Sequence, residues 1–182
     1  MVTKCSVYIA TSVDSFIARP DGDIEWLHRP EYSESEGLGL NYETFIATID
    51  ALVMGRHSFE KVLSFSDWPY KQHLVIVLTT KNLEIPEGLE GKVRFEQGHP
   101  DEILKRLEAE GMRHLYIDGG ITIQKFLKLG LIDELIIAYI PILLGEGIPL
   151  FSTLDAEQRL DHVDTTVTKS GIVQSVYKVV KT

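Results

Sequence analysis

Apolar and polar positions alternate from 6 to 11, Ser-Val-Tyr-Ile-Ala-Thr, and this period of two in a β-rich segment predicts a strand, central in its sheet. Residues 12–18 lead from it into Arg19-Pro20-Asp21-Gly22-Asp23, where Pro and Asp-Gly predict a turn. From 24 to 40 the periodicity stops. That stretch is polar and acidic, sets Trp26 and Tyr32 beside Glu31, Glu34 and Glu36, and has the length of either a lid over a site or a solvated surface loop. Helical spacing with one apolar face returns at 42–49, and Asp50 ends it. Ala-Leu-Val-Met at 51–54 is too brief for a helix and predicts a strand; Gly55-Arg56-His57-Ser58 then turns into a helix that runs to Leu63.

The run 74–78 is apolar without interruption, as in a strand buried on both faces. A short strand is predicted at 92–95. An amphipathic helix follows at 100–111, with Pro100 near its start, acids in its first turn and Gly111 as its stop. Residues 114–117 form a strand, Gly119-Gly120 a turn, and the helix after it ends at Leu129 before Gly130. The longest strand candidate is 132–140, halted by Pro141, and 144–151 is a glycine-rich loop. After a polar stretch from 155 to 164, β-rich runs at 163–169 and 172–180 flank Ser170-Gly171 as a terminal hairpin.

Three of the predicted turns carry chemistry. Two adjacent glycines, Gly119 and Gly120, let the backbone approach a ligand closely, and the unpaired N–H groups of a helix's first turn favour an anion there. A plain strand-to-helix turn fits the same residues equally well. Arg56, at the other helix opening, offers a forked cation to a phosphate oxygen; the competing reading is a surface ion pair with Glu60. Thr79, Thr80 and Lys81 close the 74–78 strand at its carboxyl end, where open α/β sheets bind ligands.

Composition narrows the function. A chain of 182 residues, 44% hydrophobic, has enough apolar material for one substantial core, so one domain spanning 1–182 is expected. Its formal net charge of -9 argues against non-specific binding to nucleic acid or anionic membrane and for a small-molecule or protein partner. No apolar leader or bilayer-length run appears, which predicts a cytoplasmic protein. Cys5, the single cysteine, reads as a small core residue and fits a reducing compartment. The six histidines show no metal-ligand spacing, so no metal is expected.

Taken in order, Asp14 with Ile17-Ala18, Met54-Gly55-Arg56-His57-Ser58, Leu78-Thr79-Thr80, Ile117-Asp118-Gly119-Gly120, Leu131-Ile132-Asp133-Glu134-Leu135 and Leu144-Gly145-Glu146-Gly147-Ile148-Pro149-Leu150-Phe151 resemble the dihydrofolate reductase-like family. They are most similar to the reductase domain of the bifunctional deaminase-reductase of riboflavin synthesis and its stand-alone relatives. The likeness covers nearly the whole chain. It implies an α/β three-layer sandwich: a central mixed, mostly parallel sheet, helices on both faces and a C-terminal antiparallel hairpin. It further implies NADPH as cofactor, hydride transfer to a small heterocycle or sugar, and a homodimer. Residue by residue, Ala10 and Ile17 would flank the nicotinamide; Gly55, Arg56, His57 and Ser58 would meet the phosphates, the 2′-phosphate included. Thr79 and Thr80 would meet the adenosine half, with Lys81 beside Arg56 around the 2′-phosphate; Gly119, Gly120, Ile121 and Thr122 would hold the pyrophosphate. Asp14 and Asp118 would face the substrate.

Two departures shape the expectation. Relatives usually carry glycine after the first aspartate, and this chain has Ser15, which predicts an altered loop. Dihydrofolate reductases carry an acidic proton donor about sixteen residues before the Gly-Arg pair, a position that here is Gly39. Dihydrofolate is therefore expected to be a poor substrate, with Glu36 and Glu43 the nearest acids. The alternative to a reductase is a nucleotide-binding module of the same fold without turnover. Taken singly, Asp14 reads equally as a cap on its turn, Asp118 as an acceptor for the glycine turn, and His57 as a solvent-facing helix residue.

Overall fold

Strand β1 (Lys4–Ser12) forms where the alternation begins, and it is the longest in the structure, a computed structural model that describes residues 2–32, 39–71 and 73–181. The main sheet of these residues runs β5-β4-β3-β6-β1-β7-β10-β9. Its other strands are β3 (Ala51–Gly55), β4 (Leu74–Leu78), β5 (Val93–Glu96), β6 (His114–Asp118), β7 (Glu134–Ile140), β9 (Leu160–Val167) and β10 (Val173–Val179). Pairing is parallel from β5 through β7, while β10 runs antiparallel to both β7 and β9. This is the mixed, mostly parallel sheet with an antiparallel C-terminal hairpin that the resemblance implies.

Period-two side-chain geometry sorts the strand residues into two cores. Ala51, Val53, Leu115, Ile117 and Ile76 face α3 (Pro100–Ala109) and α4 (Gly120–Lys128), which contribute Ile103, Leu107, Ile123 and Phe126. Leu52, Met54, Val75, Val77 and Tyr116 face the opposite way, toward α1 (Tyr42–Ile46) and α2 (Arg56–Leu63), where Phe45, Phe59 and Val62 wait. Each of these strands is thus covered twice, which is why 74–78 reads as one apolar run. Cys5 is fully buried in the first core, and burial pushes its thiol pKa up to about 12.

Several boundaries differ from the sequence pattern for identifiable reasons. Helix α1 stops at Ile46 rather than 49 because Thr48 Oγ1 donates to the Phe45 carbonyl and competes with the helix ladder. Strand β7 begins at Glu134 rather than 132: Asp133 is spent on Cys5, its N–H donating to the Cys5 carbonyl and its carboxylate accepting the Cys5 N–H. The hairpin's first strand starts at Leu160, inside the stretch that reads as polar loop, since it is an edge strand with nearly every residue exposed. In the 24–40 stretch the described part holds two single 3-10 turns, at Glu25–His28 and Pro30–Tyr32, and Trp26 is buried with Ile140 and Ile172. Residues 33–38, Glu34 and Glu36 among them, lie outside the described residues.

A second, two-stranded sheet pairs β2 (Phe16–Ala18) with β8 (Ile148–Pro149). It joins the loop after β1 to the glycine-rich loop. Ser15 takes the left-handed φ of 66° that glycine adopts freely, at a cost of about 1–2 kcal/mol. Its carbonyl accepts the Leu150 N–H at 2.9 Å, and the Leu150 side chain is fully buried. At Gly147 there is no room for a side chain: a Cβ would lie 2.3 Å from the Ala18 carbonyl oxygen and 3.1 Å from Phe16 Cβ. Gly147→Ala should therefore destabilise the protein by about 1–3 kcal/mol through overpacking, read as a loss of roughly 2–12 °C in melting temperature for a chain of this size. An unchanged melting curve would mean that β2 and β8 separate at little cost.

Candidate functional site

Three neighbouring strands, β4, β3 and β6, end at the same level, with Gly55 in register with Leu78 and Met54 with Asp118. The segments that leave them open onto one cavity of about 1020 Å³. Gly55, Arg56, His57 and Ser58, then Thr79, Thr80 and Lys81, then Asp118, Gly119, Gly120, Ile121 and Thr122 all line it. Ala10 from β1 and Ile17 from β2 complete the set on another wall with Ala18 and Ile148. The structure thus brings together every site residue expected from the sequence except Asp14.

Asp14 is the correction. It lies outside the cavity lining, and its carboxylate accepts the Ser12 hydroxyl at 2.5 Å and the backbone N–H groups of Leu144 and Gly145 at 3.1 and 2.8 Å. These donors, the Ser12 hydroxyl foremost, hold its pKa below the usual carboxylate value. Asp14 ties the loop after β1 to the glycine-rich loop, outside the cavity that the other expected residues line.

The two helix openings interlock. Gly119 has φ 85°, and a Cβ there would stand 2.2 Å from Ser58 Oγ at the start of α2. A Cβ on Gly120 would meet Ile17 Cδ1 at 2.8 Å, and one on Gly55 would meet Thr122 Oγ1 at 3.0 Å. Bare backbone at these positions lets α2 and α4 present their first turns to the same space, the arrangement that suits the linked phosphates of a dinucleotide. Cations stand nearby: Lys61, Lys81 and Lys125 line the cavity and form no ion pair among the described residues. Arg56 Nη1 reaches Glu60 Oε1 at 2.5 Å and its Nη2 lies 3.2 Å from His57 Nε2, so the ion pair with Glu60 that competes for Arg56 in the sequence does form. His57 has a 74% exposed side chain yet belongs to the rim.

A second arm of the cavity is lined by Tyr8, Tyr70, Tyr116 and Asp118. Burial, ahead of any partner, raises the Asp118 pKa, partly offset by the Gly119 N–H and the Tyr116 hydroxyl at 3.4 Å. Tyr116 is pushed well above the ordinary phenol value, first by burial and then by the Asp118 charge. Its hydroxyl donates to the Tyr8 carbonyl at 2.8 Å. The tyrosines escape sequence reading because those at 8 and 116 fall on strand positions that read as core, and Tyr70 sits in the irregular segment 64–73. Lys61 and Lys125 share a signal that could have found them: each lies five residues beyond the first residue of a helix that opens on the cavity.

Another polar cluster joins Ser6, His114 and Glu134 at the opposite, amino ends of β1, β6 and β7. Ser6 Oγ is 2.8 Å from His114 Nε2 and donates to Glu134 Oε2 at 3.0 Å, so the acid holds the serine and not the imidazole. Ser6 is fully buried, and the cluster is no nucleophile. Among the described residues no group of acids, histidines or cysteine is placed to hold a metal, and no helix is long and apolar enough to cross a membrane.

Comparison with known proteins agrees with this geometry. The family model described as the RibD C-terminal domain matches residues 4–174. The chain belongs to that family. The Bacillus subtilis protein YwjB is 36% identical over 164 residues, covering 88% of this chain and 89% of YwjB. A putative riboflavin biosynthesis protein from Shewanella sp. PV-4 shares 39% identity with a TM-score of 0.90, over 98% of this chain and 99% of that one. Dihydrofolate reductase from Enterococcus faecalis, solved with NADP(H), shares the fold at 18% identity and a TM-score of 0.64, over 98% and 97% of the two chains. The RibD C-terminal family is a reductase domain, and it makes an oxidoreductase the broad class of this chain.

Within that family frame, the raised pKa of Asp118 has a consequence for stability. The carboxyl's ionisation is disfavoured in the folded state, so its favourable contribution is complete below the unfolded value near 3.8 and is lost as pH rises through the folded pKa. Asp118→Asn removes that cost. The variant should melt no lower than wild type at pH 7, and any advantage should vanish toward pH 3.5. A variant clearly less stable at pH 7 would show that the ionised carboxylate holds the turn together.

Proposed function

We propose that this RibD C-terminal-family chain is an NADPH-dependent reductase that delivers a hydride to a small heterocyclic substrate of the pterin, pyrimidine or flavin-precursor kind. The observation that carries the reading is the convergence of two interlocked helix openings and a third strand end on one cavity with unpaired cations. NADPH supplies the hydride when bound, and the chain need only bind, orient and desolvate. The first-turn N–H groups of α4, from Gly119 to Thr122, would hold the pyrophosphate. Ala10 and Ile17 would flank the nicotinamide, Thr79 and Thr80 the adenosine half. Arg56 and Lys81 would meet the 2′-phosphate; the exposed i,i+4 pair of Arg56 with Glu60 is worth only about 0.3–0.5 kcal/mol and yields readily to a phosphate. Asp118 would accept a hydrogen bond from the ring to be reduced.

Dihydrofolate fits this reading poorly. Gly39 is turned to the hairpin, its N–H donating to Thr166 Oγ1, and a side chain there would meet Thr166 Cγ2 at 2.8 Å. A cytoplasmic location is part of the same proposal.

Binding and turnover test it. Wild type should bind NADPH and oxidise it with one of the heterocycles screened. Arg56→Ala should weaken NADPH at least about tenfold, the equivalent of ~1.4 kcal/mol, with NADH little changed. An equal loss for both cofactors would assign Arg56 to the pyrophosphate, and no loss would leave it to Glu60. Binding without oxidation of any partner would favour a catalytically silent module, and no uptake of NADPH would sink the reading.

The proposal extends to a homodimer. Among the described residues strand β9 pairs on one side only, with β10, and it exposes Leu160, Val163 and Val167 on an edge strand of the kind that a second copy covers. Light scattering should give twice the 20.5 kDa chain mass, and Val163→Lys should shift it toward the single chain. A monomeric wild type would refute the assembly.

A further inference from the structure

The aromatic arm of the cavity contains polar groups whose hydrogen bonds can be counted. Tyr8 Oη donates to the Leu40 carbonyl at 2.9 Å and receives Gln174 Nε2 at 3.3 Å. Tyr116 Oη donates to the Tyr8 carbonyl. Both hydroxyls are spent on the protein. Asp118 accepts from Tyr116 and from the Gly119 N–H, which leaves lone pairs free, because a carboxylate offers about four acceptor sites. Tyr70 differs from its neighbours. It is 8% exposed, its ring packs edge-on against Trp68 at 5.3 Å, and it lines the cavity, yet its hydroxyl has no hydrogen-bond partner among the described residues.

Tyr70 lines the cavity, so a ligand there that supplies an acceptor gives its hydroxyl a hydrogen bond that the described residues do not. The Asp118 charge reaches the Tyr70 phenol and, after burial, is the main cause that keeps it protonated, so the hydroxyl can act as donor. Both groups line the same cavity.

We propose that Tyr70 is a specificity-determining hydrogen-bond donor of the substrate arm, paired with Asp118 as acceptor. Together they select a ring edge that presents an N–H beside a carbonyl oxygen: the N–H meets the Asp118 carboxylate and the oxygen meets Tyr70 Oη. A ring lacking either group leaves one buried partner unpaired and is rejected. The inference rests on the reading that this arm takes the substrate ring, but its test does not require turnover.

The probe is uracil, which carries the edge, against 1,3-dimethyluracil, whose nitrogens have no hydrogen, each titrated by ligand-observed NMR. Wild type should bind uracil saturably and 1,3-dimethyluracil at least about tenfold more weakly. Tyr70→Phe should weaken uracil about tenfold while NADPH affinity and melting temperature stay near wild type. Equal uracil affinity in wild type and Tyr70→Phe, or no discrimination between the probes, overturns the proposal. So does a variant that loses uracil and NADPH alike, since Tyr70 would then be holding the fold. Failure of wild type to bind NADPH, with the uracil pattern intact, would instead remove the cofactor reading and leave the role of Tyr70 standing.

Discussion

Backbone without side chains at the junction of α2 and α4 is the constraint on which the cavity depends. Gly119 stands against Ser58 and Gly55 against Thr122, so each helix opening occupies the space where the other would need a Cβ. Gly119 follows the end of β6 and Gly55 is the last residue of the adjacent parallel strand β3, in a register that places Met54 beside Asp118. Sheet register therefore sets the height of the two openings, and the missing side chains set their separation. Ile17, against Gly120, brings the small β2–β8 sheet to the same point. A side chain at any of these glycines would crowd a side chain distant in sequence, Ser58, Ile17 or Thr122.

Much of this was legible in the sequence because the elements involved are short and doubly buried. Strand β4 was read with its observed bounds, since five consecutive apolar residues between polar ends leave little choice of limits. The Gly119-Gly120 turn and the Arg56 opening stand out in the sequence as candidate anion sites from glycine and helix-start chemistry alone, and both line the one cavity. What the sequence hid were relations across distance. Asp14 looks like a pocket acid until Leu144 and Gly145, 130 and 131 residues away, are seen to donate to it. The strand register of 160–167 was hidden because its residues are exposed on both faces, and periodicity reports burial, not hydrogen bonding.

Charge is distributed against the chain's average. The formal net charge is -9, yet Arg56, Lys61, Lys81 and Lys125 all belong to the cavity wall. Glu96, also on that wall, and Glu110 are engaged by Arg94 and Arg106 in an ion-pair network at the edge strand β5 and helix α3. An acidic exterior with cationic walls inside a concave site focuses an anionic ligand there while discouraging extended polyanions. Net charge alone points away from nucleic acid; the distribution points toward small phosphates.

The remaining question is which acid the cavity can offer to a reacting ring. Three acids line it: Asp21, Glu96 and Asp118. Glu96 is held by two arginines, and Asp21 is exposed and accepts the Asp23 N–H in its own turn. Asp118 accepts the Tyr116 hydroxyl at 3.4 Å, and burial favours its protonated form. Position 39, where dihydrofolate reductases carry their acid, is closed by Thr166 and belongs to the hairpin. The strand that delivers the Gly119-Gly120 turn thus also delivers a cavity acid whose proton is held more tightly than usual. If the proposed function holds, a carboxyl there would be placed both to accept a ring N–H when ionised and to share a proton when not, from its position at the end of β6.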